Sequence, residues 1–398
     1  MSSHDVIIVG GGPAGLATAL FLCHADPALR GRVVVLEKER YPRDKFCAGA
    51  LGARADQVLM RIGVGVDVPS VPVDGVSIAL AGGAISVRSE RIGRVVRRLE
   101  YDHALARAAA ARGVRICEGI RVTGVRVESQ GVTVESNEGA WHGRVVVGAD
   151  GVGSVVRRAL GLSAGKLRAQ VIELDTEPVP GDRDRGLLHF DASLPGVSGY
   201  AWDFPTLVEG QALVCRGVYH LRKDGAELDI HALLAARLAE RGLDIGRYRI
   251  KRFAERGFEH GEPYAAPRVL LVGEAAGIDA LTGEGIAQAI AYGAFAGPYL
   301  AEKLARADLR FDDFTRRLAR SDLGIDVGVR ARILPHYFGN HRAALEQFLL
   351  KSPDFIALGM DHFAGRRLSR RKIARTVVSG AWQVARSRHT TNTAPSTV

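Results

Sequence analysis

The stretch Val6-Ile7-Ile8-Val9-Gly10-Gly11-Gly12-Pro13-Ala14-Gly15 constrains this chain more than any other. An apolar run of strand length meets a glycine turn and then a helical run from Leu16 to Cys23, which places Gly10, Gly12 and Gly15 in the G-x-G-x-x-G spacing of a dinucleotide site. Gly10 can take the tight turn, Gly12 removes the Cβ that would hold a pyrophosphate off the backbone, and Gly15 lets helix and strand pack closely. Phosphates then meet free N–H groups at the helix start, where aligned peptide dipoles sum to roughly half a positive charge. Alone the motif is weak, because glycine turns before helices are common. It gains strength from Arg32-Val33-Val34-Val35-Leu36-Glu37, a second strand ending in a carboxylate placed to accept from a ribose hydroxyl. The bland alternative is a glycine-rich turn followed by an ordinary surface Glu, and the full strand, turn, helix and strand context speaks against it.

Composition narrows the partners. With 54 basic and 44 acidic side chains the formal charge is +10, which suits an anionic ligand, a phosphorylated substrate or an acidic lipid surface. The charge is not gathered into a basic-aromatic module, so no nucleic acid is expected. Cys23, Cys47, Cys117 and Cys215 show no C-x-x-C spacing, which argues against zinc and a disulfide framework and for a reducing, cytoplasmic setting; no metal site is expected. Three glycines and a proline interrupt the apolar start, and it has no basic flank, so no targeting segment is read there. No other stretch reaches the roughly 18 apolar residues a membrane span needs.

The order of segments predicts an α/β fold whose dinucleotide domain is Rossmann-like and built from discontinuous pieces, residues 1–70, 95–165 and 265–310. After Glu37 the chain makes a long polar excursion where a simple nicotinamide domain would start its third parallel strand, which is more typical of proteins that wrap a larger dinucleotide such as FAD. Residues 75–80 and 84–87 read as a hairpin, Val114 to Cys117 as a buried strand, and 120–147 as an antiparallel meander ending at Asp150-Gly151. Segments 71–94 and 166–264 form an inserted antiparallel-sheet substrate domain. The first fold resumes at Arg268 to Glu274, followed by Leu281-Thr282-Gly283-Glu284-Gly285-Ile286 and a long helix to about Ala305. Residues 311–388 read as a basic helical region and 389–398 as a disordered tail.

Taken together, the glycine motif with Glu37, the Asp150-Gly151 strand end and the Gly273-Glu274 strand resemble the FAD domain of the para-hydroxybenzoate-hydroxylase-like flavoproteins. Within them the chain is similar to the geranylgeranyl reductase family. Lys45-Phe46-Cys47-Ala48-Gly49-Ala50 resembles that family's cysteine-glycine loop, Tyr200-Ala201-Trp202-Asp203-Phe204-Pro205 its Y-x-W-x-F-P motif, and Leu281 to Ile286 its L-T-G-E-G-I turn. The chain departs from the pattern at Phe46, Ala48, Ala50 and Ala280, and at Cys215-Arg216-Gly217.

The resemblance implies non-covalent FAD, reduced transiently by NAD(P)H, with hydride delivered to an isolated carbon–carbon double bond of a hydrophobic, isoprenoid-type substrate. Motif and resemblance together assign the cofactor to Gly10, Gly12, Pro13, Ala14, Gly15, Glu37, Lys38, Lys45, Cys47, Ala48, Arg98, Val122, Asp150, Gly273, Glu274, Gly283, Gly285 and Ile286. Arg98 can neutralise pyrophosphate charge, Glu274 can accept from a ribityl hydroxyl, and the helix opening near Gly285 can aim N–H groups at the flavin's pyrimidine edge. Cys47 is the candidate catalytic residue, a thiol beside the isoalloxazine, or else a small buried side chain in a cofactor loop. Tyr200, Trp202 and Phe204 alternate along one strand, so they either line an apolar substrate tunnel or form core. Residues 370–386 carry apolar positions at helical spacing among cations, which suits peripheral contact with an anionic membrane or docking on the protein itself. Two other activities stay open beside the reductase: a flavin monooxygenase or, less favoured by the Y-x-W-x-F-P motif, a halogenase; and a non-catalytic flavin-binding partner protein.

Overall fold

The computed structural model describes residues 4–368 apart from 181, 183 and 223–227, together with scattered positions between 371 and 379. The amphipathic segment expected at 370–386 lies for the most part outside the described residues, and the tail 389–398 wholly so.

The apolar runs seen in the sequence become the middle of one sheet. Val269–Leu271, Gly139–Gly148, His4–Val9, Val33–Glu37 and Arg115–Glu118 lie side by side in that order, all parallel, with Val6 opposite both Val33 and Val145. Strands buried on both faces read as continuous Val/Ile/Leu runs because neither face meets water. The helix Pro13–Ala25 is packed against Ile286–Ala305, the pair crossing where Gly293 and Gly297 leave room. The meander is present as Val122–Val127, Val132–Ser136 and Gly139–Gly148. Arg115–Glu118, expected to be buried, is the half-exposed edge of the parallel core, since it has a neighbour on one side alone.

The second sheet joins two separated parts of the chain. Its order is Lys251–Arg256, Arg168–Thr176, Gln211–Leu221, Gly199–Val208, Leu188–Asp191, Ser70–Leu80, Gly83–Val96 and Ala50–Gly52. Leu188–Asp191 and Ser70–Leu80 pair in parallel, and the rest are antiparallel. The hairpin expected at 75–87 therefore runs well past both predicted ends. The polar run Arg88-Ser89-Glu90 looks like loop in sequence, but a bulge between Val73 and Gly75, where Asp74 accepts the N–H of Arg91 at 2.7 Å, carries the pairing through. The helix Ile230–Ala239 covers one face of this sheet through Leu234 and Leu238.

The helices Phe314–Arg320, Asp322–Tyr337, Arg342–Lys351 and Pro353–Phe363 follow. The last packs on Gly83–Val96, with Phe363 seated against Gly52 and Gly93. Among the described residues no helix is long and apolar enough to cross a membrane, and no cluster of side chains could hold a metal ion.

Candidate active site

The glycine turn does what its spacing requires. Gly10 has φ +104, a conformation that side chains disfavour, and the carbonyl of Ala149 leaves no room for a Cβ there. Gly12 sits at the start of Pro13–Ala25 with no side chain capping the helix. A Cβ at Gly12 would meet a single neighbour, Nη2 of Arg98 at 3.9 Å, so a gap of phosphate character lies between the bare helix end and a guanidinium. Asp102 fixes that guanidinium with bonds of 2.6 and 2.7 Å. Burial works against the Arg98 charge, but Asp102 outweighs it and raises the pKa above its ordinary value.

Glu37 is buried and largely engaged by the protein. Its Oε2 accepts the Gly11 N–H at 2.9 Å and lies 3.3 Å from Arg43, while Oε1 accepts the Glu39 N–H at 3.1 Å. Arg43 also pairs with Asp102 at 3.0 Å, so Glu37, Arg43, Asp102 and Arg98 form one chain of alternating charge along the cleft. The Tyr41 hydroxyl donates to the Gly11 carbonyl. Sequence reading passed over Tyr41 and Arg43 as generic loop, although their closeness to Glu37 in the chain was the available signal.

Gly10, Gly12, Glu37, Arg43 and Arg98 line a cleft of about 950 Å³ together with Pro13, Ala14, Lys38, Lys45, Cys47, Val122, Asp150, Glu274, Gly283, Gly285 and Ile286. Three predicted cofactor residues are not on its wall. Gly15 is packed on the Gly10 carbonyl, which is its expected part in closing helix on strand. Gly273 backs onto Ala14, where a Cβ would stand 2.5 Å from the Ala14 methyl, and Ala48 faces a neighbouring chamber. The Asp150 carboxylate is occupied, accepting from Ser154 Oγ at 2.5 Å and from the N–H groups of Val155 and Val156. Glu274 accepts the Arg256 N–H through Oε1 at 3.2 Å. A second uncapped helix, Ile286–Ala305, opens on the same cleft, and neither helix has an acidic residue in its first turn. Two bare helix starts, a charged chain and a glycine gap fit a long pyrophosphate-linked dinucleotide.

The neighbouring chamber, about 330 Å³, is walled by Tyr200, Trp202 and Phe204 with Phe190, Val171 and Tyr219, and roofed by Ile356, Met360 and Phe363. The three aromatics of the Gly199–Val208 strand pack into a core cluster and also face this cavity. Tyr200 stacks on Tyr219 at 5.3 Å, and their hydroxyls donate to the carbonyls of Thr282 and Ala280 at 2.5 and 2.8 Å. Cys47, Phe253, Glu255, Gly283, Gly285 and Ile286 line cleft and chamber alike. Burial pushes the Cys47 thiol up, only partly opposed by Arg98, so it stays protonated near neutral pH. A Cβ at Gly283 would lie 3.1 Å from the Tyr200 hydroxyl and 3.4 Å from Oε2 of Glu255. Phe253 and Glu255 were not singled out from the sequence, because one aromatic and one acid on an ordinary strand carry no local mark.

The roof is tied down by charge. Arg54 reaches Glu284 at 2.6 Å and Asp326 at 3.3 Å, Asp326 also meets His362 at 3.2 Å and Arg330 at 2.7 Å, and Arg330 continues to Asp279 at 2.7 Å.

Comparison with known proteins agrees with this geometry. The family described as "FAD binding domain" matches residues 3–309. Menaquinone reductase of Mycobacterium tuberculosis is 29% identical over 349 residues, covering 77% of this chain and 78% of that protein. Digeranylgeranylglycerophospholipid reductase 2 of Methanosphaera stadtmanae is 25% identical, covering 77% and 80%. Among solved structures, a geranylgeranyl bacteriochlorophyll reductase-like protein of Thermoplasma acidophilum shares the fold with TM-score 0.70 at 20% identity, covering 97% of this chain and 98% of that one. The flavin-dependent brominase Bmp2 does so with TM-score 0.73 at 17% identity, covering 98% and 100%. With a dinucleotide cleft built from the matched segment, this chain belongs to the FAD binding domain family and is an FAD-dependent oxidoreductase.

Proposed function

We propose that the protein uses FAD, reduced by NAD(P)H, to saturate a carbon–carbon double bond in a hydrophobic, isoprenoid-type substrate. The observation that carries this reading is the aromatic-walled chamber sharing one wall with the dinucleotide cleft. Relatives named menaquinone reductase and digeranylgeranylglycerophospholipid reductase support it. When bound, the flavin supplies a hydride equivalent at the shared wall. The chain supplies the rest. Gly12 and Arg98 hold the pyrophosphate, Glu37 and Glu274 offer carboxylate oxygens to ribose and ribityl hydroxyls, and the start of Ile286–Ala305 presents N–H groups to the ring edge that gains negative charge. Tyr200, Trp202, Phe204 and the roof exclude water from the reacting double bond. Cys47 closes the wall as a neutral thiol.

The second reading, oxygen chemistry, is favoured by the fold shared with a flavin-dependent brominase. One experiment separates them. The FAD-loaded protein is reduced by NADPH without oxygen and then given either geranylgeranyl diphosphate or air. Reoxidation by the olefin with slow reaction in air supports the reductase; fast hydroperoxyflavin or peroxide formation, with no response to the olefin, replaces it with a monooxygenase.

A further inference from the structure

Glu255 stands at the junction of cleft and chamber, and nothing in the mechanism above uses it. It follows Phe253 by two residues on the strand Lys251–Arg256, so both side chains leave the same face of the sheet, and both line the two spaces. Its Oε2 is closed off from solvent and has no hydrogen-bond partner. A buried carboxylate left without partners is strongly penalised, so the group keeps its proton. Burial, then the charges of Glu274, Asp279 and Glu173, push its pKa well above the ordinary carboxyl range, against the pull of Lys45. On two other strands of the same sheet Tyr200 and Tyr219 are themselves pushed up by burial and stay neutral.

An isolated isoprenoid double bond has no carbonyl beside it to hold an electron pair. Hydride therefore cannot add ahead of a proton, and the proton must come from an acid already standing in the apolar chamber. Resting on the reductase reading, we infer that Glu255 is that acid, delivering its proton to the substrate carbon from the wall between the two spaces. The Glu255 O–H bond breaks as the π pair forms a C–H bond at one carbon. Hydride from the nicotinamide-reduced flavin forms the second C–H bond, and the carboxylate left behind regains a proton from solvent through the cleft. The Cys47 thiol is the competing donor, and burial weakens both groups as acids, but by its ordinary value a carboxyl is the stronger acid.

The test compares the wild type with Glu255→Gln, which keeps the shape and loses the acid, and Glu255→Asp, which keeps a shortened acid. Infrared difference spectra of the apoprotein should show a protonated-carboxyl band at neutral pH that is missing in Glu255→Gln. In anaerobic stopped flow, Glu255→Gln should accept electrons from NADPH within about threefold of wild type. Its reoxidation by geranylgeranyl diphosphate should fall about 100-fold or more, with partial recovery in Glu255→Asp. The wild-type reoxidation rate should drop as pH rises through the Glu255 pKa, and the Glu255→Gln rate should not. Reoxidation of Glu255→Gln at the wild-type rate, or absence of the carboxyl band, overturns the assignment and leaves the reductase reading standing. A wild type that ignores the olefin and reacts rapidly with oxygen ends both.

Discussion

The backbone N–H of Cys47 donates to Oε1 of Glu173 at 2.9 Å, a bond that joins the cofactor loop to the Arg168–Thr176 strand beneath it. Glu173 is fully buried beside Lys251, Asp175 and Arg97, and burial raises its pKa to about 7, with Lys251 the largest opposing influence. The ordinary value for the unfolded chain is 4.5, so the folded state takes up the proton. The associated stability is fully present below pH 4.5 and is lost as pH rises through about 7, an amount on the order of 3 kcal/mol. Thermal melts of the apoprotein should show a falling Tm across that window. Glu173→Gln should flatten the profile and melt higher than wild type at alkaline pH; an unchanged slope would remove Glu173 as its source.

Glu37→Ala and Arg98→Ala should each weaken flavin retention. Each removes a charged group of the cleft wall, worth roughly 1.5–3 kcal/mol, or about 10- to 100-fold in affinity, if it meets the cofactor as proposed. Arg98→Ala additionally leaves the buried Asp102 with Arg43 as its remaining cation, so its Tm should fall as well. Fluorescence titration of apoprotein with FAD measures the first effect. Full occupancy of both variants at low FAD would show that the cofactor lies elsewhere.

Gly293→Ala should destabilise by roughly 1–3 kcal/mol, because its Cβ would stand 2.5 Å from the Ala17 methyl and from the Thr18 nitrogen at the crossing of Pro13–Ala25 and Ile286–Ala305. Gly65→Ala, where an added Cβ meets nothing within 4 Å, is the control and should change stability little. Denaturant midpoints of the two variants decide this.

The contrast between these positions shows what could be read in advance. Val6–Val9, Val33–Leu36 and Val145–Val147 were legible because a doubly buried parallel strand is one unbroken apolar run. Gly10 and Glu37 were legible as parts of the cleft because a tight turn from strand to helix demands glycine and the second strand ends beside it. Phe253 and Glu255 were not, since their meaning arises from pairing between distant segments. Glu255 becomes unusual only when Gly283, more than twenty residues on, comes to lie against it. The extent of Ser70–Leu80 and Gly83–Val96 was hidden for a similar reason, a bulge at Asp74 that leaves no pattern in the polar run it stabilises.

Asp326 should prove the most sensitive point of the roof. Burial alone would raise its pKa, but His362, Arg330 and Arg54 outweigh it and hold the carboxyl far below its ordinary 3.8. A depressed carboxyl contributes stability that is present above pH 3.8 and is lost as pH falls below it. Asp326→Asn should cost about 3 kcal/mol near neutrality, with a smaller deficit in acid, because Arg54 and Arg330 lose their shared anion. Melting curves at neutral and acid pH check the sign, and an equal loss at both would place the cost in packing instead of charge.

Gly283 gives the two spaces their common boundary, with φ +68 and a bare hydrogen pointing toward Tyr200 and Glu255. On the reading proposed above, communication between redox ring and substrate would cross a boundary that is bare of side chain at this position. A single methyl there would press on the Tyr200 hydroxyl and the Glu255 carboxyl from within the shared wall, so the smallest residue of the turn sets how closely two large rooms can adjoin.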